Sequence, residues 1–420
     1  MNISGFMANL LDDVEVEWRQ LWEVTIWDKR FNAVERYKQT DVIKYHYFLA
    51  KEFEPLVTKG GSVKLLTTNV SNLYTTEEKA GDKISEGEII AIPWGGNAVV
   101  QYYKGKFLTS DNRIATSKDT NYLSNKYLYY FLLSNISLLE SFYRGSGIKH
   151  PSMAAVLDMK IPVPPINIQA EIVRILDAFT SLTAELTAEL TAELTARKKQ
   201  YNYYRDKLLS FEDGEVEWKP LADLGTFTYG YAAKAQDAGD ARFVRITDIN
   251  TDGKLIPSDV KYVDISVENE KYLLKKNDLL MARTGATYGK TMIYSEGYPA
   301  IYAGFLIKLN LSEAINPKYY WHFAQSSFFW EQANKLVSGG GQPQFNANAL
   351  KQVKVPIPYH GDTSKSLDAQ SRVVDLLDKF DAITSSLTEG LPREIELRQK
   401  QYEYYRDLLL SFPKPDEQAA

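Results

Sequence analysis

The sequence predicts an α+β protein. Two globular units, each a mixed sheet with helices, are joined by two long antiparallel coiled-coil helices in an internal pseudo-twofold duplication. Three observations carry this expectation. First, Asn167 to Phe211 runs for over forty residues without Gly or Pro, and its apolar positions fall three or four apart, which is a helical stripe. Second, Gln200–Phe211 (QYNYYRDKLLSF) returns as Gln401–Phe412 (QYEYYRDLLLSF), ten of twelve positions being identical. Third, the repeated landmarks extend outward from these helices, so a whole unit with its helix is duplicated.

The landmarks are specific. Glu15-Val16-Glu17-Trp18 matches Glu215-Val216-Glu217-Trp218. Ile161-Pro162-Val163-Pro164 matches Val355-Pro356-Ile357-Pro358, each just before a long helix. Gln169 to Phe179 resembles Gln370 to Phe380. Between these points the halves diverge, so a similar frame carries two different inserts.

Taken in order, residues 1 to 13 read as an irregular or helical lead-in. Val14 to Trp27 opens the first unit with alternating apolar residues, Trp18, Trp22 and Trp27 being candidate core. Gly60 to Leu66 is a turn feeding a strand. Gly87 to Pro93 is a strand ending at proline, and Gly95-Gly96-Asn97 turns the chain. Val99 to Tyr103 returns and turns again at Gly105. Asn125 to Leu139 is a helix with an aromatic face, followed by the polar loop Arg144 to Pro151. The second half repeats this order: a strand at Asn277 to Ala282, a turn at Arg283-Thr284-Gly285-Ala286, an aromatic helix at Pro317 to Trp330 and a polar loop at Ser338 to Asn346. The second long helix runs from near Ser366 to Phe412, broken or kinked at Gly390-Leu391-Pro392. The tail from Pro413 is polar and expected to fray.

Composition bounds the function. With 420 residues and 44% hydrophobic content, two cores plus helical connectors are accessible. There are no cysteines, which excludes disulfides and thiolate metal sites, and four scattered histidines (His46, His150, His322, His360) offer no zinc centre. No apolar run approaches twenty residues and no signal peptide is visible, so a soluble, cytoplasmic protein without membrane contact is expected. The 28 tyrosines suit contact surfaces, although buried core is the commoner use of an aromatic. The net charge of −5 argues against an isolated nucleic-acid binder. It is reconciled if the acidity is local, as at Glu185, Glu189 and Glu193, or if partners supply much of the phosphate contact.

Inside the first long helix, Thr183-Ala184-Glu185-Leu186 is followed by two identical copies ending at Leu194. Four residues advance a helix by about 6 Å and turn it roughly 400°. The leucine spacing therefore drifts around the helix and acts as a stutter in a coiled coil. An ordinary packed helix explains such a stripe equally well. The duplication favours a ruler, in which paired helices hold two units apart and the repeat count sets the distance.

No catalytic motif is visible. Gly285 to Thr291 resembles a phosphate loop, but its first glycine is one residue too close and Thr291-Met292-Ile293-Tyr294 reads as a strand where a helix is needed. The plain reading is a glycine turn between strands; the functional one is a loop whose Arg283, Thr284, Tyr288 and Lys290 face nucleic acid. No [DNS]-P-P-[YFW], G-x-S-x-G, H-E-x-x-H or C-x-x-C occurs. Acidic pairs such as Asp12-Asp13 and Glu77-Glu78 are expected among 54 acidic residues. The two polar loops are stronger candidates: Arg144, Ser146, Lys149 and His150 in the first, Gln342, Gln344 and Asn346 in the second. Arg, Lys, Gln and Asn read base edges in a major groove. A solvated surface loop is the alternative for any one of them. Equivalent loops with different chemistry are expected if each unit reads a different sequence.

The duplicated Ile/Val-Pro-Val/Ile-Pro exits, the Gln-Ala-Glu-Ile-Val-Arg-Ile-Leu helix, the Arg283-Thr284-Gly285-x-x-x-Gly289-Lys290 turn and the Arg-Lys-Lys-Gln-Tyr-x-Tyr-Tyr-Arg helix end closely resemble the DNA-specificity subunit of type I restriction-modification systems. The resemblance spans the whole chain. The Thr-Ala-Glu-Leu copies resemble the subfamily in which repeat number is tied to spacer length. The first half departs from the usual Arg-x-Gly turn, having Trp94-Gly95-Gly96-Asn97. The resemblance implies a non-catalytic subunit with no cofactor or metal of its own, whose two target-recognition domains each read one half of a split double-stranded DNA site. It implies two methyltransferase subunits carrying S-adenosylmethionine, and two restriction subunits using ATP and Mg. The implied DNA-contacting residues are Trp94, Asn97, Arg113, Arg144, Ser146, Lys149 and His150, with Arg283, Thr284, Tyr288, Lys290, Gln342, Gln344 and Asn346 in the second half. The implied spacer and docking residues are Leu182, Leu186, Leu190, Leu194, Tyr204, Arg205, Tyr405 and Arg406. The expected divisions are 1–160 and 212–354 for recognition, 161–211 for the central helix and 355–420 for the C-terminal helix and tail. A DNA-binding scaffold without a methyltransferase, and a nucleotide-dependent enzyme using the Gly285 loop, are the alternatives.

Overall fold

The computed structural model describes residues 10–12, 14–211, 216–385 and 390–413. The start of the lead-in, Asp13, Glu215 and the tail beyond Pro413 lie outside the described residues. The chain divides into two compact units, residues 1–187 with 397–420 and residues 188–396.

In the first unit the strands are β1 (Glu17–Gln20), β2 (Thr25–Trp27), β3 (Val63–Leu66), β4 (Tyr74–Thr75), β5 (Ser85–Pro93), β6 (Gln101–Thr109), β7 (Asn112–Ser117), β8 (Tyr143–Arg144), β9 (His150–Pro151) and β10 (Lys160–Val163). The main sheet has the order β2-β7-β5-β6-β3-β4, mixed because β3 and β6 run parallel. One face packs on helix α1 (Asn125–Ser134) and on the start of the long helix α2 (Ile166–Leu209), with Leu21, Ile90, Tyr127, Leu128, Ile172 and Leu176 buried between them. Trp27 joins this core, while Trp18 and Trp22 are only partly buried against it.

The strand expected to turn at Gly105 instead runs straight through it. Gly105 pairs with Gly87 in mid-sheet at φ +139, and a Cβ there would meet the Tyr103 hydroxyl at 3.3 Å. The glycine permits a close ring contact and makes no turn. The aromatic helix also ends early, at Ser134: Asn135 leaves the helical conformation at φ −100 and ψ 26, and its side-chain amide donates to the Phe131 carbonyl at 2.9 Å alongside its backbone N–H. A separate short helix, Ile136–Ser141, follows.

The second unit contains β11 (Val216–Pro220), β12 (Gly225–Tyr229), β13 (Ala241–Val244), β14 (Tyr262–Val263), β15 (Leu279–Ala282), β16 (Thr291–Ile293), β17 (Ala300–Tyr302), β18 (Leu306–Leu311) and β19 (Lys354–Pro358). A four-stranded sheet, β12-β18-β15-β16, lies beside a three-stranded one, β14-β13-β17. The aromatic segment again splits, into α3 (Pro317–Phe323) and α4 (Ser327–Leu336), because Ser326 caps the second helix by accepting from Phe329 N at 3.3 Å. The second long helix is α5 (Thr363–Ser385) followed by α6 (Leu391–Leu409). Gly390, at φ +80, precedes the new helix and Pro392 sits in its first turn, where a missing N–H costs nothing. Residues 386–389 lie outside the described part.

Each unit repeats one frame. The two repeated motifs are each other's partners: β1 pairs antiparallel with β10, and β11 with β19, placing Trp18 opposite Pro162 and Trp218 opposite Pro356. Each ribbon has only two strands, so prolines that donate no ladder bond are tolerated. Tyr127 donates to the Pro162 carbonyl at 2.9 Å, and Tyr319 to Pro356 at 2.9 Å. Gln169 is fully buried. Its carbonyl accepts from Ser124 N at 2.9 Å and its amide donates to the Tyr122 and Pro164 carbonyls at 2.8 Å. Gln370 does the same work, accepting from Asn316 N at 2.8 Å and donating to Ala314 O and Ser366 Oγ.

The long helices pack in antiparallel fashion within each unit. In the first, Phe179 of α2 lies against Tyr405 at 5.6 Å and Thr180 bonds to Tyr402 at 3.1 Å. In the second, Tyr204 stacks on Phe380 at 5.4 Å, while Tyr201 and Asn202 line a cavity with Thr384 and Ser385. The 44 residues of α2 include all three Thr-Ala-Glu-Leu copies in unbroken helix. No helix among the described residues is long and apolar enough to cross a membrane.

Candidate nucleic-acid interface

In each unit the turn after a buried strand and the distant polar loop meet at one sheet corner. In the second unit the apolar run Leu279–Ala282 buries β15, and Arg283 follows where the strand leaves the core. Arg283 N donates to Phe305 O at 3.1 Å, and Phe345 N donates to Arg283 O at 2.8 Å. Gly285 N reaches the Pro343 carbonyl at 3.0 Å, and Thr284 bridges Gln344. The loop itself is closed by reciprocal bonds between Ser338 and Gln344, at 3.0 and 2.7 Å. Gly339 adopts φ +89, with a would-be Cβ 2.6 Å from the Gln342 carbonyl, so only glycine closes this loop without strain.

The Arg283 side chain is held on three sides. Its Nε–H donates to Gly304 O at 3.1 Å, and the guanidinium lies 5.2 Å from the Tyr229 ring and 5.4 Å from the Phe305 ring. Such cation–π contacts contribute roughly 0.5–1 kcal/mol each when exposed. Phe305 is 55% exposed, unusual for a large apolar ring beside a charge.

The first unit builds the same corner with exchanged parts. Trp94 follows β5, and its N–H donates to Asp111 O at 2.8 Å, as Arg283 does to Phe305. The cation comes from the neighbouring strand: the Arg113 guanidinium lies 3.9 Å over the Trp94 ring. Arg113 is buried, which lowers its pKa against the pull of Asp28, and its Nη1 donates to Asn112 O at 2.8 Å. Burial likewise raises the Asp28 carboxyl, and Tyr47 donates to it. The polar loop closes on the turn through Gly96 N to Lys149 O at 2.9 Å and His150 Nδ1 to Trp94 O at 2.7 Å. The Tyr143–Arg144 and His150–Pro151 pair anchors the loop base.

Trp94, Arg113, Lys149 and His150 therefore come together, as do Arg283, Thr284 and Gln344. Asn97, Arg144, Ser146 and Gln342 are exposed in the same turns and loops. The remaining three have different surroundings. Tyr288 packs its ring between Trp330 and Phe345 and donates to Asn334 at 2.8 Å. Asn346 caps the short helix Ala347–Leu350 through its side-chain oxygen. Lys290 lines a separate cavity with Lys198, Arg205 and Asp381, and the residues after it form a strand, unlike a phosphate loop. Tyr229, Phe305 and Lys29, whose ammonium lies 5.7 Å from the Trp94 ring, join the corners without any sequence signal, because their approach depends on strand neighbours far along the chain.

Along the helices, Leu182 is 51% exposed and Leu186, Leu190 and Leu194 are half-buried. Tyr204 and Tyr405 pack on Phe380 and Phe179. Arg205 is buried over Tyr201 and paired with Asp206, and Arg406 pairs with Asp407 at 2.8 Å.

Two copies of one frame, each presenting a differently built loop corner, define a protein that offers two distinct recognition surfaces. The family model "Type I restriction modification DNA specificity domain" matches residues 32–196 and again 214–397. The chain is 36% identical to the EcoR124I/EcoR124II specificity subunit of Escherichia coli, covering 99% of both chains. It is 32% identical to a specificity subunit of Haemophilus influenzae designated putative, covering 98% of this chain and 99% of the relative. A solved structure from work on assembly and conformational transition of the type I R-M system shares the fold at TM-score 0.58 and 12% identity, covering 95% of this chain and 98% of that one. The chain belongs to the type I restriction-modification DNA specificity family.

Proposed function

We propose that the chain is the non-catalytic, sequence-reading subunit of a type I restriction-modification complex. Each unit reads one half of a bipartite, asymmetric double-stranded DNA site. Recognition maps to residues 1–160 and 212–354, with spacer helices at 161–211 and 355–420. The observation that carries this reading is the pair of equivalent corners on one repeated frame, each with different side-chain chemistry. A single-domain binder has no need of two unlike corners, and a nucleotide enzyme has no use for them.

The long helices set the unread gap and dock two methyltransferase subunits, which bring S-adenosylmethionine and methylate adenine. Two restriction subunits add ATP- and Mg-dependent action. The assembly works in the cytoplasm. An acidic subunit fits an arrangement in which its partners supply much of the phosphate contact that drives affinity. The corner residues contribute base contacts and the surrounding polar groups position the duplex.

The test is to map methylated adenine genome-wide in cells expressing the chain with its methyltransferase subunit. A bipartite motif with a fixed unread gap, lost when the chain is omitted, is expected. A stable complex that leaves no bipartite motif would refute the proposal and favour a DNA-binding scaffold.

A further inference from the structure

Arginines near the second corner have occupied guanidinium groups. Arg245 holds Asp248 at 2.7 Å and Asp259 at 3.2 Å. Arg242 donates to the Tyr298 hydroxyl at 3.0 Å and to the Ile256 carbonyl. Arg283 differs. Only its Nε–H is used, and among the described residues neither Nη has a hydrogen-bond partner or a carboxylate. The group borders a cleft of about 730 Å³ shared with Lys234, Arg245 and Thr247.

A half-buried charge without a counter-ion is costly unless a ligand supplies the missing partner. The two free nitrogens form a planar fork, and the Gly304 carbonyl and the two rings fix the plane of that fork. On DNA, paired acceptors matching it occur at O6 and N7 of guanine and on a phosphate. A phosphate is reached over a wide range of side-chain orientations, whereas a base edge requires the fork to lie in the plane of the base. The ring clamp supplies that restriction, and the exposed Phe305 offers apolar surface suited to bases and not to a hydrated phosphate.

Resting on the DNA-recognition reading above, we infer that Arg283 is the residue with which the second unit reads a guanine in the major groove. Tyr229 and Phe305 are positioning residues that hold the fork. Among the described residues the first corner has no equivalent, because its arginine, Arg113, is buried under Trp94 with Nη1 committed to the Asn112 carbonyl. The guanine dependence carried by a clamped arginine therefore falls in one half-site only.

The experiment uses the full chain co-expressed with its methyltransferase subunits and reads the methylated motif. Arg283→Lys keeps the charge but loses the fork. It is expected to relax one guanine of one half-site by about 5- to 150-fold, the range of a lost bidentate contact, with the other half-site and the gap unchanged. Phe305→Leu, at an exposed ring that the fold does not need, is expected to relax the same guanine by a smaller factor. Uniform loss across all sequences, with an unchanged motif and a salt slope reduced by about one, would mark a phosphate contact and overturn the inference. So would an unchanged motif at an unchanged rate. If Arg283→Lys fails to accumulate, the Phe305→Leu motif decides: relaxation at one guanine supports the assignment, and none overturns it. A wild-type complex that methylates no bipartite site defeats the underlying function, which is a different result.

Discussion

Replacing Gln370 with alanine tests the repeated frame directly. The side chain is fully buried and makes three hydrogen bonds, to Asn316 N at 2.8 Å, Ala314 O at 3.1 Å and Ser366 Oγ at 3.0 Å. Each such bond is worth about 1 kcal/mol net, and a buried group left unpaired costs about 1–3 kcal/mol. Two of the partners are backbone groups at the start of α3, so water entering the vacated space would relieve only part of the loss. A destabilisation of about 3 kcal/mol follows, close to a 150-fold change in an opening equilibrium. Because the chain has two units, a single melting temperature would mix their responses. Native-state hydrogen exchange separates them: amides of α3 and α5 should lose about two orders of magnitude of protection, while those of α1 stay unchanged. Gln169→Ala should do the reverse. A loss below about tenfold, or equal loss in both units, would refute the idea that each glutamine ties its own unit's strand exit to its helix.

Three further outcomes are expected. Deleting residues 191–194 shortens α2 by about 6 Å, under two base-pair steps of about 3.4 Å, so methylome mapping should show the gap shortened by one or two base pairs with both half-sites intact; altered half-sites would sink the ruler. His322 is buried between the Tyr201 hydroxyl and Asp378, each at 2.8 Å, and burial lowers its pKa against the pull of Asp378. The folded state then binds fewer protons than the unfolded one below about pH 6.5. Stability of the second unit is therefore fully present above that pH and declines as pH drops through it. His322→Gln should flatten this decline in exchange measured from pH 7.5 to pH 5, and an unchanged slope would contradict it. Finally, Leu176→Ala, at a fully buried core position, should cost about 2–5 kcal/mol in urea unfolding, whereas Leu182→Ala, at 51% exposure, should cost well under 1 kcal/mol.

Much of the frame was legible before any coordinates. The long helix, its unbroken repeat, the break at Gly390 and the β5 and β15 strands all follow from periodicity and from where Gly and Pro fall. The errors were local. Gly105 reads as a turn by composition, yet it is a mid-strand glycine that admits the Tyr103 ring. The aromatic helices read as single segments, yet the backbone leaves the helical conformation at Asn135, and Ser326 caps a new helix with its side chain. Of the candidate contacts, Thr284 and Gln344 do meet across a bridge of loops, whereas Asn346 is a helix cap and Lys290 lines another cavity.

The duplication, the long repeat-bearing helix and the two loop positions can be read from the chain alone, because identity and apolar spacing are written along it. Folding in three dimensions adds that the repeated Glu-Val-Glu-Trp and Ile-Pro-Val-Pro motifs pair with each other, and that buried Gln169 and Gln370 lock the strand exits. It alone exchanged the aromatic and the arginine between the two corners, setting Arg113 on Trp94 and Arg283 between Tyr229 and Phe305. The strand and corner pairings join residues from nearly twenty to nearly one hundred and fifty positions apart. What selects them is strand order and the need of each buried polar group for a partner, and neither leaves a periodic trace in the chain.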